Sequence, residues 1–209
     1  MNLPNAITTL RIVLAPVIAI LLFQPSVGSR LVAMGVFLVA ALSDLVDGAL
    51  ARQRGEITDF GKLVDPIADK LLLVATLVPF YVLTRGDPSL GRLPVFGAIG
   101  LWVLVVFFGR EVIVTWLRTR AARRGVVVPA LRSGKYKAFA QNVFIGSMIL
   151  WLAYRTAVLS SGELPLGSGW DAFHGWFTAV SLAVAILLTV YSFFVYVKAF
   201  RAPEAGAGA

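Results

Sequence analysis

Four aspartates stand at helix-like spacing in one short stretch of the chain: Asp44 and Asp47, then Asp65 and Asp69. Asp44, Asp47, Gly48 and Ala51 fall at i, i+3, i+4 and i+7, and Gly61, Asp65 and Asp69 at i, i+4 and i+8. Each set therefore occupies one face of a helix. Carboxylates gathered in a low-dielectric medium repel strongly unless cations sit between them. Two Mg²⁺ or Mn²⁺ ions about 3.5–4 Å apart would relieve that repulsion, and such a pair suits phosphoryl chemistry. The glycines and alanine between the acids leave room for a bulky phosphorylated ligand. The chain has no cysteine and one histidine, His174, so thiolate and His-rich sites are excluded and any metal is hard and oxygen-liganded. The plainer alternative is that the acids form loop-end ion pairs with Arg52, Lys62 or Lys70, and that Asp47-Gly48 is an ordinary turn. Acids inside membrane segments default to function, and four of them on two facing helices favour the metal site.

The elements that must position these acids are set by composition. Of 209 residues, 58% are hydrophobic and only 14% charged, against about 45–50% and about 25% in soluble domains. This is an all-α integral membrane protein. Apolar runs of spanning length occur at about 7–23, 30–52, 63–84, 93–118, 137–155 and 173–198, which predicts six transmembrane helices. Residues 1–201 form one membrane catalytic domain, and the tail from Ala202 to Ala209 is expected to be disordered. The first run is expected to stay as a span rather than be cleaved as a signal peptide, because Arg11 already lies close to it and the run itself is of spanning length.

Lys and Arg give the orientation. The fourth-to-fifth connection carries Arg118, Arg120, Arg123, Arg124, Arg132, Lys135 and Lys137, the second-to-third Arg52, Arg54 and Lys62, and the C-terminal end Lys198 and Arg201. The alternate connections hold only Arg30, then Arg85 and Arg92, then Arg155. This alternation predicts both termini in the cytoplasm, with all four acids near the cytoplasmic interface. The net charge of +8 reads as basic cytoplasmic loops touching anionic lipids, with no sign of a nucleic-acid-binding fold.

The acidic stretch resembles the signature of the CDP-alcohol phosphotransferase family, D-x-x-D-G-x-x-A-R followed by G-x-x-x-D-x-x-x-D. It reads here as Asp44-Leu-Val-Asp47-Gly48-Ala-Leu-Ala51-Arg52, eight further residues, then Gly61-Lys-Leu-Val-Asp65-Pro-Ile-Ala-Asp69. The resemblance implies the six-helix fold of that family and a bacterial inner-membrane enzyme with its active site on the cytoplasmic side. It implies transfer of a phosphatidyl-type group from a CDP-linked lipid such as CDP-diacylglycerol to an alcohol, with release of CMP. By that likeness Asp44, Asp47, Asp65 and Asp69 hold two Mg²⁺ or Mn²⁺ ions, and Asp69 is also the general base. Gly48, Ala51, Arg52, Thr58 and Gly61 match positions around the CDP moiety. The segment "PNAIT" resembles the family's nucleotide-contacting entry, which adds Asn5 and Thr8. A homodimer is expected from the likeness alone.

For the acceptor, "GREVIVTWLR" from Gly109 and "GKYKAFAQ" from Gly134 resemble the branch that uses sn-glycerol 3-phosphate, with Ala138 where that branch commonly has Thr. An anionic acceptor needs a basic pocket, and Arg110, Arg118, Lys135 and Lys137 are available for it. The competing readings are positive-inside topology for these residues and a structural Arg110–Glu111 pair. Siblings using inositol phosphate, inositol or serine remain alternatives, and an intramembrane cation transporter a distant one. Trp102, Trp116, Trp151, Trp170 and Trp176 read as interfacial or lipid-facing, and His174 as an interface residue. Pro66 either kinks its helix or marks its first turn.

Overall fold

The computed structural model describes residues 3–54, 59–123 and 131–201, with side chains described over 8–43, 67–123 and 131–200. Among them are six α-helices and no strand: α1 (Leu3–Phe23), α2 (Val27–Arg54), α3 (Asp59–Gly86), α4 (Leu101–Ala122), α5 (Arg132–Ser161) and α6 (Gly167–Arg201). Three described segments, Ile67–Gly86, Arg132–Ser161 and Gly167–Phe200, are long and apolar enough to cross a membrane, and Thr8–Phe23 and Val27–Ser43 are shorter apolar segments. The chain is a multi-pass membrane protein. Its contacts divide it into two compact units, Met1–Ile99 with Ile145–Ala179, and Gly100–Phe144 with Val180–Ala209.

In the first unit α1 packs on both α2 and α3. The buried positions on α1 are Thr8, Arg11, Ala15, Ile18 and Leu22, and those on α2 include Arg30, Ala33, Phe37 and Ala40, each set repeating at three to four residues. Val13, Val17 and Ile20 of α1 and Leu31, Val32, Leu38 and Val39 of α2 are exposed, a surface suited to lipid. Lipid tails are as apolar as these side chains, so close helix contact must come from packing, which small residues such as Ala15, Ala33, Ala40, Ala68 and Ala75 permit. Gly146 approaches α2 closely: a Cβ there would stand 3.3 Å from the Met34 methyl.

The helix expected to begin near residue 93 begins at Leu101. The segment before it cannot be helical, because it holds Pro88 and Pro94 and because Val95 and Gly97 take positive φ of 68° and 61°. Asp87 opens this loop by accepting the Ser89 N–H at 2.9 Å and the Ser89 hydroxyl. These bonds hold the Asp87 carboxyl below its ordinary value. Thr84 Oγ1 closes the loop by accepting the Ile99 N–H at 3.0 Å. Gly91 lies so near Thr84 that a Cβ would fall 2.3 Å from the Thr84 Cβ, which requires glycine.

Other helices run longer than the apolar runs alone indicate. α2 and α3 leave four residues between Arg54 and Asp59, so Pro66 lies inside α3, beyond its first turn. α5 starts at Arg132 and α6 at Gly167, each several residues before its apolar run. Trp151 and His174 are buried, against the lipid-facing and interfacial reading, whereas Trp102, Trp116, Trp170 and Trp176 are exposed as expected. His174 Nε2 lies 3.2 Å from the Ser147 carbonyl oxygen, and its ring meets Trp151 edge-on at 5.5 Å. Aromatic surface on three sides explains why a single histidine is carried inside.

In the second unit the buried positions of α6 are Leu182, Ala185, Thr189, Ser192 and Tyr196, an alternating three–four seam. Against this unit's part of α5, Gln141 Nε2 donates to Thr189 Oγ1 at 3.3 Å, and Phe107 of α4 meets Phe144 edge-on at 6.4 Å. The seam ends at the polar and aromatic pair Ser192 and Tyr196, where the charged side chains of α4 and α5 collect.

Candidate active site

The acidic candidate residues lie on α2 and α3 of the first unit, with Asn5 and Thr8 on α1. Asp44, Asp47, Gly48, Ala51 and Arg52 fall within the continuous helix α2, and Gly61, Asp65 and Asp69 within α3. The i+3 and i+4 spacings therefore act on real helices. The side chains of these residues other than Asp69, and that of Asn5 on α1, lie outside the described residues, and Thr58 lies outside them altogether. Among the described residues no three Asp, Glu, His or Cys gather in a way that could hold a metal ion.

Asp69 is described, and its partner was not anticipated. Arg11 of α1 donates through Nη1 to Asp69 Oδ1 at 2.7 Å. The Arg11 side chain is 3% exposed and that of Asp69 61% exposed, so a buried cation holds one oxygen of a carboxylate that faces outward. Thr8 is buried one turn before Arg11 on the same helix. The signal available in the sequence was the presence of an arginine within an apolar span, which calls for an anionic partner. The plainer reading assigned the acids to Arg52, Lys62 or Lys70, because only neighbours in sequence were considered; Arg11 is 58 residues away.

The basic candidate residues lie in the second unit. Arg110 Nη1 donates to Glu111 Oε1 at 3.0 Å, and Lys137 Nζ reaches the same oxygen at 2.5 Å. The three side chains are 10%, 20% and 9% exposed. The Arg110–Glu111 pair that sequence offered as the structural alternative is thus present, but it is shared with Lys137. Arg110 Nη2 also donates to Ser192 Oγ at 2.8 Å, while Arg110 Nε is buried with no hydrogen-bond partner among the described residues. Arg110 and Arg118 both lie over the Tyr196 ring, with Cζ at 5.2 and 5.5 Å from its centroid. Lys135 is exposed, two residues from the buried Lys137 and so on the opposite side of α5. The structure therefore brings Arg110, Arg118 and Lys137 together and leaves Lys135 out.

Arg110 and Lys137 share the Glu111 carboxylate and Arg118 joins Arg110 at the Tyr196 ring, an excess of cations over carboxylates among the described residues that suits an anion. Glu111, Ser192 and Tyr196 were not legible as site residues. The last two lie on α6, more than 80 residues from Arg110, and neither type marks function by itself.

The chain thus carries carboxylates at helical spacing on two helices of one unit and a cluster of cations in the other. The model of the family described as CDP-alcohol phosphatidyltransferase matches residues 1–191, and the chain belongs to that family of transferases. Among curated proteins it is 39% identical over 199 residues to "Probable phosphatidylglycerophosphate synthase" of Mycobacterium tuberculosis, covering 94% of this chain and 80% of that protein. It is 33% identical over 193 residues to "CDP-diacylglycerol--glycerol-3-phosphate 3-phosphatidyltransferase" of Bacillus subtilis, covering 82% of this chain and 93% of that protein. A protein of the same description from Pseudomonas fluorescens is 37% identical over 135 residues, 63% of this chain and 62% of that one. Family membership leaves no ground for the transporter reading.

Proposed function

We propose that this chain transfers the phosphatidyl group of CDP-diacylglycerol to sn-glycerol 3-phosphate, giving phosphatidylglycerophosphate and CMP. The names of the relatives support this reaction. The observation that carries the choice of acceptor is the cluster in which Arg110 and Lys137 share Glu111 while Arg118 joins Arg110 at the Tyr196 ring. A neutral alcohol such as inositol would leave this cationic excess unused, whereas a phosphate monoester supplies close to two negative charges and oxygens that suit guanidinium forks. Inositol phosphate meets the same criterion and is the second reading.

In this proposal Asp69 accepts the proton of the attacking hydroxyl while the acceptor oxygen bonds to the phosphorus next to diacylglycerol and CMP leaves. Arg11 holds Asp69 Oδ1 and so fixes where the carboxylate points. Asn5, Thr8, Gly48, Ala51, Arg52, Thr58 and Gly61 surround the CDP moiety, the glycines and alanine giving it room. Asp44, Asp47, Asp65 and Asp69 form an all-oxygen donor set at helical spacing, which fits Mg²⁺ or Mn²⁺. Two such ions, when bound, would neutralise the diphosphate and stabilise the departing CMP. Lys135 serves the surface rather than the acceptor, together with the other exposed basic residues that meet anionic lipid headgroups.

The same proposal puts six spans in the bacterial inner membrane, with both termini and the site on the cytoplasmic side. The Lys and Arg distribution supports this orientation. A homodimer is retained from the family likeness. The test is CMP release by purified protein given labelled CDP-diacylglycerol and Mg²⁺ with glycerol 3-phosphate, inositol phosphate, inositol or serine. Turnover with glycerol 3-phosphate is expected. Turnover with inositol phosphate instead would transfer the assignment to that sibling, and CMP release only with inositol or serine would refute the reading of the basic cluster.

A further inference from the structure

Tyr196 sits at the end of the α6 seam with only 6% of its surface exposed, so it is no interfacial anchor. Both Arg110 and Arg118 of α4 lie over its ring. These arginines are eight residues apart, about 12 Å along a helix axis, yet their guanidiniums converge on one aromatic group. The ring is itself held at its far end: Tyr196 Oη accepts the Leu131 N–H at 3.1 Å, just before α5 begins. α5 also passes close to this hydroxyl, because a Cβ on Gly134 would stand 3.6 Å from Oη. One turn earlier on α6, Ser192 Oγ receives Arg110 Nη2. Arg110 is thus gripped by α6 through both a hydroxyl and a ring, while its Nε remains buried and unpartnered.

We infer that Tyr196 is a positioning residue for the acceptor: an aromatic spacer that holds Arg110 and Arg118 close enough together for both to serve one phosphate monoester. Two like charges at one ring repel, and each cation–π contact offsets part of that cost. The anion supplies the remainder when it arrives. Without the ring, Arg118, which is exposed and has no other described partner, turns outward with the rest of the basic surface. This inference rests on the acceptor reading above and adds to it the group that sets the spacing.

The test uses purified full-length protein in nanodiscs, with KM measured separately for glycerol 3-phosphate and CDP-diacylglycerol. Tyr196→Leu is expected to raise KM for glycerol 3-phosphate about tenfold while KM for CDP-diacylglycerol moves by less than about twofold. Tyr196→Phe keeps the ring and is expected to retain the wild-type KM for glycerol 3-phosphate. Should Tyr196→Leu not be recovered from membranes, Tyr196→Met takes its place with the same expectations. Arg118→Met is the control for the reading beneath. If Arg118→Met raises KM for glycerol 3-phosphate and Tyr196→Leu does not, the spacer role is wrong and the acceptor site stands. If neither variant changes it, the acceptor site itself is wrong. A Tyr196→Phe variant as impaired as Tyr196→Leu would also overturn the role of the ring.

Discussion

The two units pair their arginines and lysines differently. Among the described residues of the first, the buried Arg11 meets Asp69 and the half-buried Arg155 meets Asp171 and the Ser89 carbonyl, while the buried Arg30 meets the neutral Leu152 carbonyl and Thr156 hydroxyl. In the second, one carboxylate is shared by Arg110 and Lys137, and Arg118 has only an aromatic ring. A balanced pair stabilises or orients what is already there. An excess of one sign in a half-buried cluster leaves capacity for something that arrives. Balance in the first unit thus fits a role in holding the reacting groups, and excess in the second fits a role in binding the acceptor.

That contrast can be broken by substitution. Variants in the first unit should lower kcat, and those in the second should raise KM for the acceptor. The largest effect is expected from Asp69→Asn. Loss of the base should cut turnover by about 10²–10⁴, with CDP-diacylglycerol binding largely retained; normal turnover would refute its role. It also leaves the buried Arg11 guanidinium against an amide, so thermal stability should fall too. Arg11→Met comes next, with kcat down by up to about 100-fold through misplacement of Asp69. Because Asp69 is 61% exposed and can be hydrated, Arg11→Met should lose less stability than Asp69→Asn, which a melting comparison in the same detergent would decide.

Glu111→Gln sharpens the other side. It removes the shared carboxylate, so Arg110 and Lys137 lose their common anchor, with a stability loss of about 1–3 kcal/mol. KM for glycerol 3-phosphate should change while kcat at saturation holds; a kcat loss like that of Arg11→Met would erase the distinction between the units. The smallest effect belongs to Asp87→Asn, which touches neither site. Its carboxyl is held below the ordinary value by the two bonds from Ser89. A depressed carboxyl stabilises the fold above its unfolded pKa and loses that contribution as pH falls through the folded value. Wild type should therefore melt slightly higher than Asp87→Asn at neutral pH, by less than about 1 kcal/mol since the group is exposed, and the two should converge in acid.

The acidic motif was legible because helical spacing is a short-range property: Asp44 to Asp47 and Asp65 to Asp69 need only local periodicity. The all-helical membrane architecture followed from apolar runs for the same reason. Partners across helices were not legible. In the sequence Arg11 reads as a charge beside the first apolar run and Arg30 as a loop charge, although both are buried and both bind groups on other helices. Tyr196 looked like one more membrane aromatic, and only its place between Arg110, Arg118 and Leu131 distinguishes it. The start of α4 moved to Leu101 because hydropathy counts Leu93, Val95 and Phe96 as span, whereas backbone geometry at Val95 and Gly97 forbids it. His174 and Trp151 were misjudged in the same manner, since polarity alone does not say whether aromatic neighbours surround a ring.

Only four residues separate Arg54 at the end of α2 from Asp59 at the start of α3. Five peptide steps at about 3.5 Å limit the distance between those two Cα atoms to about 18 Å, however the remainder of the protein moves. The two acidic stripes are consequently leashed to each other. An opening that admits a lipid or releases CMP cannot draw the near ends of α2 and α3 further apart than that reach. Lengthening this connection would test that leash without altering a single ligand.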